Sequence, residues 1–232
     1  MTNGFLIRIC VCSVFLLAGP VSAANGTDPW EPMNRTIMGF NDAADGAILK
    51  PIARGYTAVF PKPVRTGVTN FFANLREPWI SLNQLLQGKP REFASDLGRF
   101  GVNTTLGLVG LFDVASGMGL EKHNEDFGQT LGVWGIGPGP YLVVPLWGPS
   151  SVRDGVGDIA GIWGFLPFYL DNTTARDILS ALWIVKTRAD YLEAEKLVQG
   201  DRYLFIRDAY LQNREYNVRD GLLDDPFLSD EF

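Results

Sequence analysis

The single histidine of this 232-residue chain, His123, lies in the charged tract 121–126, a setting in which histidine can bind a metal or transfer protons. A transition-metal site needs three or four nitrogen, sulfur or carboxylate ligands. The chain has no second histidine, and its two cysteines, Cys10 and Cys12, lie near the N-terminus. The carboxylates of the tract are nearly adjacent, so they do not share one face. The pattern favours a solvated turn, and we expect no metal and no cofactor.

Two aspartates, Asp154 and Asp158, have a spacing that suits acid–base chemistry. Residues four apart share one side of a helix, and paired carboxylates with divided pKa values can catalyse hydrolysis. A structural role is the favoured interpretation, in which an aspartate caps a short helix or pairs with Arg153. A hydrolase that uses both aspartates stays open as an alternative. The chain contains no Gly-x-Ser-x-Gly element, so a nucleophile-elbow hydrolase has no obvious nucleophile.

A glycine-rich run at 135–140 resembles a phosphate-binding loop only superficially. Such loops act through backbone N–H groups, and the two prolines of the run remove two donors. The flanking segments 131–136 and 141–146 are rich in aromatic and branched residues, which predicts the two strands of a hairpin. The predicted hinge at the hairpin tip comprises Gly137, Pro138, Gly139 and Pro140.

The segment 127–170 carries Trp134, Trp147 and Trp163 but only three charged residues. It is too apolar for an ordinary surface loop. Prolines interrupt it too often for a membrane-spanning helix, which needs about 20 apolar residues in succession. We therefore expect it to contact lipid, another protein or the protein's own core, with tryptophan rings at a membrane–water boundary. Trp183, at helical spacing, is predicted to be a core residue.

Apolar residues recur at helical spacing along most of the chain, which predicts a mainly α single domain with one short hairpin. The first helix begins near Asp28-Pro29, where aspartate can cap and proline fits the first turn, and ends at Pro51. The remaining predicted helices cover residues 64–75, 79–86 after Pro78, 93–104, 174–192 and 201 to about 213.

The N-terminal residues predict export by a cleaved signal peptide. Arg8 is followed by the apolar run 9–18 and by small residues that end at Ala23. We expect residues 1–23 to be removed, so that the mature chain starts at Ala24 without cysteine. The formal net charge of −6 includes Arg8 and becomes more negative on its loss, so we expect no nucleic-acid partner. Residues 24–220 form the predicted domain, and 221–232 a flexible acidic tail.

Several ordered motifs between Asp28 and Tyr216 carry a resemblance to a known family. They are Asp28-Pro29-Trp30-Glu31-Pro32-Met33-Asn34-Arg35, Phe40-Asn41, Asn74-Leu75-Arg76-Glu77-Pro78, Asp126-Phe127-Gly128-Gln129-Thr130-Leu131-Gly132, Arg153-Asp154, Gly157-Asp158 and Arg207-Asp208-Ala209-Tyr210. By these motifs the chain resembles the MlaA (VacJ) phospholipid-transport lipoproteins.

The resemblance implies a ring-like, mostly helical domain embedded in the outer membrane from the periplasmic side and bound to trimeric porins. Phospholipids misplaced in the outer leaflet would pass through its amphipathic channel to a periplasmic carrier of the MlaC type, which preserves lipid asymmetry. Such transport breaks no bond, in keeping with the missing catalytic set. A structural outer-membrane interaction module is a further alternative.

Site residues follow as hypotheses from this resemblance. The residues expected to contact lipid are Trp134, Tyr141, Val143, Val144 and Trp147. Those expected along the head-group path are Arg153, Asp154 and Asp158, and the hairpin 130–147 would gate the passage.

One departure from the family concerns the anchor. Members usually carry a lipobox that ends in an acylated cysteine, whereas Pro20 stands at that place here. We expect a mature chain without an acyl anchor, held at the membrane by apolar surface and partners.

Overall fold

The computed structural model describes residues 28–222, which form nine α-helices, one π-helical turn, two short 3-10 helices and one β-hairpin. The predicted signal peptide 1–23, the start at Ala24, Pro20 and nearly all of the predicted tail lie outside the described residues. The α-helices are α1 (Glu31–Ala44), α2 (Lys50–Val59), α3 (Lys62–Leu86), α4 (Pro90–Thr105), α5 (Val114–Gly117), α6 (Phe127–Val133), α7 (Val152–Trp163), α8 (Thr173–Ala194) and α9 (Arg202–Val218). A π-helical turn (Asp45–Leu49) joins α1 to α2, and the strands are β1 (Tyr141–Val144) and β2 (Gly148–Ser151).

The first helix begins where the sequence predicts but does not end at Pro51. Helix α1 continues through the π-helical turn into α2, whose first turn contains Pro51. Proline lacks the N–H that an interior helical residue donates. The π-helical turn just before it is where the register of backbone hydrogen bonds changes.

Pro78 likewise fails to divide a helix, so the two predicted segments 64–75 and 79–86 are one continuous helix of 25 residues, α3. An interior proline costs about 3 kcal/mol. Helix α3 packs along α4 more extensively than any other pair of elements packs among the described residues. Phe72 before the proline and Ile80 after it are both buried. Packing on both sides of Pro78 therefore outweighs the local penalty.

Two charged side chains of α4, Asp96 and Arg99, are buried. Arg99 is only 1% exposed and donates to Glu77 Oε1 at 3.1 Å and to both carboxylate oxygens of Asp113 at 3.1 Å. Asp96 is also buried, and its Oδ1 lies 2.7 Å from Nδ1 of His123. Charges on α4 are tolerated inside because opposite charges and polar groups fold over them.

The tract 121–126 is irregular, as expected, but it is not simply a solvated turn. Glu125 is buried and accepts a hydrogen bond from Gln87 at 2.8 Å. Asp126 caps α6 by accepting from the backbone N–H of Gln129 at 2.9 Å. The tract therefore supplies partners to the interior.

The hairpin is shifted along the chain, because the segment predicted as its second strand, 141–146, contains its first strand. The first half of the segment expected as its first strand, 131–136, is the end of helix α6, which Asp126 initiates, and the second half is a turn. The strands β1 and β2 pair antiparallel, with Tyr141 opposite Ser151 and Val144 opposite Gly148. The tip is therefore the turn 145–147, not the predicted hinge Gly137-Pro138-Gly139-Pro140, which instead connects α6 to β1. Leu146 at the true tip has a positive φ of 61°.

The last two long helices are confirmed, with adjusted ends. Asn172 caps α8, rather than Thr174, and accepts from the N–H of Ala175 at 3.0 Å. Asp201 opens α9 as predicted, and the helix continues beyond residue 213 to Val218. The described core consists of two small apolar clusters, one between α1, β1 and α9 and one between α2 and α8.

Candidate functional site

The described residues bury many polar side chains and expose many large apolar ones, which is unusual for a water-soluble domain. The largest fully buried side chains are mostly polar, and Arg99, Gln84, Gln129 and Glu77 lead them. Large apolar side chains are exposed on helices, loops and the hairpin tip throughout the described residues. Soluble monomers rarely expose extended apolar patches. This surface indicates contact with lipid or with an apolar protein partner.

One exposed element, which we call the apolar loop, is residues 106–112 between α4 and α5. Leu108 and Val109 have positive φ angles of 51° and 58°, which is strained for a branched residue. Backbone hydrogen bonds hold this conformation, from Val109 to Thr104 at 3.0 Å and from Gly110 to Asn103 at 2.8 Å. The loop therefore presents its side chains on a fixed backbone. Its exposed large side chains are Leu106, Leu108, Val109, Leu111 and Phe112.

The hairpin is fastened to α1 by two asparagines two turns apart. Asn34, fully buried, donates to Tyr141 O at 3.0 Å and accepts from Val143 N at 2.9 Å. Asn41 donates to Val144 O at 3.0 Å and accepts from Leu146 N at 2.7 Å. Each amide thus satisfies one donor and one acceptor on the outer edge of the hairpin, as a third strand would.

Beneath the hairpin lies the Arg214 cluster, which consists of Arg214, Asp126, Asp154, Arg153 and Tyr210. Arg214 on α9 donates to Asp126 at 2.6 and 3.0 Å and to Asp154 at 2.8 and 3.1 Å. Asp154 also accepts from Tyr210 Oη at 2.7 Å and from Arg153 Nε at 3.0 Å. The cluster joins α6, α7 and α9, and its charges are paired.

The pairing governs the pKa values of these carboxyls. Burial alone would raise the pKa of Asp154, but hydrogen bonds and charge from Arg214, with help from Tyr210 and Arg153, hold it at about 2. Burial also raises the pKa of Asp126, but hydrogen bonds and charge from Arg214 lower it. The net result is a pKa below the ordinary value. Both aspartates are therefore ionised and structurally engaged.

Asp158, one helical turn beyond Asp154, behaves differently. Its side chain is exposed, yet its pKa is raised to about 6 because surrounding protein desolvates it and Asp126 and Asp154 repel its charge. The neighbouring indole of Trp147 opposes this rise in pKa.

This geometry corrects part of the predicted head-group path. Arg153 and Asp154 are buried within the Arg214 cluster, so they do not face a passing ligand. Asp158 is the member of the predicted path that is exposed. A hydrolase that uses Asp154 and Asp158 together lacks support, since both oxygens of Asp154 are already occupied by Arg214, Arg153 and Tyr210.

The residues predicted to contact lipid divide in a similar way. Tyr141 and Val143 are core residues, buried against α1 and α9, so the prediction is wrong for them. Val144 is half-buried. Trp134 and Trp147 are exposed, although the N–H of Trp134 donates to Leu86 O at 3.0 Å instead of facing water.

Trp147 belongs to an aromatic group that spans the hairpin tip, α8 and the segment after α7. Its ring centroid lies 6.1 Å from that of Trp183, and Trp183 lies 5.3 Å from Phe165. Trp183 is half-buried rather than a core residue as predicted. Trp147 is 56% exposed, so this aromatic group reaches the surface at the hairpin tip.

Sequence reasoning missed several of the side chains that build this region. Arg214 attracted no functional interpretation, and four others entered only as members of family motifs: Asn34, Asn41, Asp126 and Tyr210. The available signal was an excess of polar residues at positions of helical spacing that elsewhere hold apolar side chains.

No group of three or more His, Cys, Asp and Glu side chains within 28–222 is arranged to hold a metal ion. Over the same span, none of the helices combines the length and the apolar character needed to cross a bilayer.

Comparisons with known proteins identify relatives over most of the chain. The profile of a family described as MlaA lipoprotein matches residues 26–217. A protein of Escherichia coli (strain K12) named intermembrane phospholipid transport system lipoprotein MlaA is 36% identical over 207 residues, covering 85% of this chain and 80% of the relative. A protein of Shigella flexneri with the same name is 35% identical over 210 residues, with the same coverage.

A solved structure is also similar. It is described as "Structural basis for maintenance of bacterial outer membrane lipid asymmetry" and matches with a TM-score of 0.72 and 34% sequence identity. The match covers 83% of this chain and 99% of the solved chain.

Proposed function

The chain belongs to the MlaA lipoprotein family, and we propose that it removes misplaced phospholipids from the outer leaflet of the outer membrane. They would pass through an amphipathic channel of a ring-like domain to a periplasmic carrier of the MlaC type, and lipid asymmetry would be maintained. The relatives' names and the description of the similar structure support this assignment. The observation that carries it is the distribution of side chains, with many polar side chains fully buried and many large apolar side chains exposed.

The physical requirement of the transport agrees with this distribution. A phospholipid that changes leaflet keeps its acyl chains in an apolar phase and needs a polar route for its head group. An apolar exterior suits a position within the membrane, and a polar interior suits the head-group route. The movement requires no bond cleavage, and Asp154 is engaged in ion pairs rather than free for catalysis.

The position in the membrane rests on exposed elements rather than on a spanning helix. The apolar loop and the tip residues Leu146 and Trp147 present apolar side chains on backbone that hydrogen bonds hold in place. We propose that these elements insert from the periplasmic side and anchor a mature chain that begins at Ala24, with trimeric porin as the partner in the membrane. Burial of one large apolar side chain contributes roughly 1.5–3 kcal/mol, so a few suffice for stable association.

The proposal is tested by lipid carriage. The processed chain, purified in mild detergent, is expected to retain phospholipid that mass spectrometry of extracts detects. It should also deliver this lipid to an added MlaC-type carrier. Trp147→Ser is expected to reduce the phospholipid carried per protein, because it removes an exposed aromatic face beside Trp183.

Trp163→Ser provides a matched control, because Trp163 is 70% exposed and forms no ring contact with another described aromatic side chain. It should leave the carried lipid unchanged. A processed wild-type chain that is monodisperse in plain buffer, free of phospholipid and indifferent to vesicles would contradict the proposed function.

A further inference from the structure

The hairpin and helix α8 belong to different packing units. The first, which we call the hairpin unit, consists of α1, the hairpin and α9, and its buried apolar side chains are Met38, Tyr141, Val143 and Tyr203. The second is the α2–α8 pair, whose buried apolar side chains are Ala53, Tyr56 and Ala189. The two clusters share no side chain. Each unit can therefore keep its own packing when the units move relative to one another.

The π-helical turn Asp45–Leu49 carries the chain from the hairpin unit to the α2–α8 pair. The backbone N–H of Lys50 donates to Asp45 O, five residues earlier. Long helices bend sharply at such turns. Gly46 lies within the turn, and a Cβ there would meet no other atom within 4 Å. Packing therefore does not require glycine at this position, whereas its wide range of backbone angles makes the turn easier to bend.

Arg188 on α8 joins the two units by an ion pair. Its guanidinium donates to Asp45 Oδ1 at 2.6 Å and to Asp45 Oδ2 at 2.8 Å, and the Arg188 side chain is only 14% exposed. It also donates to Glu195 Oε2 at 2.7 Å, and Glu195 accepts from Lys50 Nζ at 2.5 Å. The bidentate pair with Asp45 thus connects the end of α1 to α8, while the pair of Lys50 with Glu195 connects α2 to the residue after α8.

A second contact between the units lies at the hairpin tip. The ring centroid of Trp147 is 6.1 Å from that of Trp183 on α8, at an interplanar angle of 41°. Trp147 is 56% exposed, so this contact is at the surface. If α8 moved away from the tip, an indole would line each side of the opening. Apolar walls of this kind suit the acyl chains of a lipid.

We propose that the π-helical turn is a hinge and that Arg188 is the positioning residue that holds it closed. When the ion pair with Asp45 opens, α8 separates from the hairpin tip and admits a phospholipid between them. This inference rests on the proposed function and concerns the regulation of the same passage. The bidentate ion pair favours the closed state, and Gly46 keeps the bending of the turn easy.

Two substitutions should shift the equilibrium in opposite directions. Asp45→Asn removes the charge that holds Arg188 but leaves Glu195 in place, so the open population should rise by at least about tenfold. Gly46→Ala adds a methyl group in open space and favours the helical turn. Added to Asp45→Asn, it should reduce the open population by about fivefold, the factor that corresponds to the difference in helix propensity between alanine and glycine.

Double electron–electron resonance on the processed full-length chain in detergent measures these populations. Spin labels are placed at Thr36→Cys on α1 and at Ile178→Cys on α8, because both side chains are exposed. The described residues contain no cysteine of their own, so the labels are specific. A longer distance between the labels should be most populated in Asp45→Asn. The rate at which phospholipid is delivered to an added MlaC-type carrier should rise and fall with that population.

Two matched controls separate the hinge from general effects. Lys50→Gln breaks an ion pair within the α2–α8 pair and leaves the bond between Arg188 and Asp45, so it should keep the wild-type distances. Gly55→Ala adds the same methyl group in open space on α2, outside the turn. Added to Asp45→Asn, it should leave the open population unchanged.

The outcomes distinguish the two proposals. If Asp45→Asn shows the wild-type distances, or if Lys50→Gln lengthens them equally, the hinge is overturned while the proposed function stands. If the distances change but the delivery rate does not follow them, the role of the hinge in lipid passage is overturned. If the wild type neither carries nor delivers phospholipid, the proposed function and this role fail together. Circular dichroism of Asp45→Asn verifies the fold, and Gly46→Ala tests the same hinge without removing a charge.

Discussion

The contact between helices α6 and α7 provides a sharp test of the structure through Gly157→Ala. A Cβ at Gly157 would lie 2.4 Å from the backbone N of Gly128 and 2.7 Å from its Cα, well inside the distances that real side chains adopt. Both nearest atoms belong to the backbone, so no side-chain rotation can relieve the overlap. The two helices must move apart, and Gly128 itself is packed against Arg214 and Asp154.

Two opposing effects set the size of the change. Alanine in a helix interior is more favourable than glycine by about 1 kcal/mol. Overpacking of a tight contact costs about 1–3 kcal/mol and sometimes more, and separation of the helices also weakens the 2.8 Å bond between Arg214 and Asp154. We expect Gly157→Ala to lower the free energy of unfolding by about 2 kcal/mol, which in a domain of this size lowers Tm by about 4–8 °C.

Gly161→Ala is a matched control on the same helix. Its Cβ would meet only Trp79 Nε1, at an ordinary distance of 3.9 Å, so the helical preference of alanine should raise stability by about 0.5–1 kcal/mol. Thermal and urea unfolding of both variants in the same detergent, followed by circular dichroism, gives the comparison. Equal effects of the two substitutions, or a Gly157→Ala variant at least as stable as the wild type, would refute the close approach of α6 and α7.

Arg214→Met should destabilise the fold by about 3–5 kcal/mol in urea titrations, because it leaves Asp126 and Asp154 buried without their partner. Arg214→Lys should restore only part of this stability, because a single ammonium cannot form bidentate hydrogen bonds with both carboxylates. The pKa of Asp154 in the fold, about 2, lies below its ordinary value, so its stabilising effect should be complete above about pH 4 and lost as pH falls through 2. The pKa of Asp158 is about 6, above its ordinary value, so the free energy of unfolding should fall as pH rises from about 4 to 6. Asp158→Asn should abolish this pH dependence when unfolding is measured across the same range. Leu108→Glu in the apolar loop should reduce vesicle co-flotation by at least about tenfold. Leu197 is similarly exposed but lies outside the loop, so Leu197→Glu should have a smaller effect. Equal losses in the two variants would contradict anchoring by the loop.

Apolar periodicity predicted helices correctly where tertiary contacts are compatible with the local pattern. It failed where tertiary contacts override the local preference. Helices α4, α8 and α9 follow from apolar spacing and from caps such as Asp201. Pro51 and Pro78 indicated helix ends by a local rule that the π-helical turn and the packing of α3 on α4 override. The run 131–136 is apolar and short, a pattern that fits a buried strand or a buried helix equally well, and the cap at Asp126 was the cue that favoured the helix.

The candidate site could be read from the sequence only in part. The pairing of Arg153 with Asp154 was one of the structural roles proposed from adjacency, and it is confirmed at 3.0 Å. Asp154 and Arg214 are 60 residues apart, and no local pattern links positions at that separation. The burial of Tyr141 and Val143 could not be foreseen either, because it depends on Asn34 holding β1 against α1.

The asparagine attachments of the hairpin have a mechanical consequence. A free two-stranded hairpin is only marginally stable in water and would bend easily at its base. Asn34 and Asn41 instead tie both ends of β1 to consecutive stretches of one 14-residue helix. Bending the hairpin alone would break four hydrogen bonds at once. Any displacement of Trp147 therefore requires α1 to move as well, so that the hairpin tip and α1 move as one rigid unit.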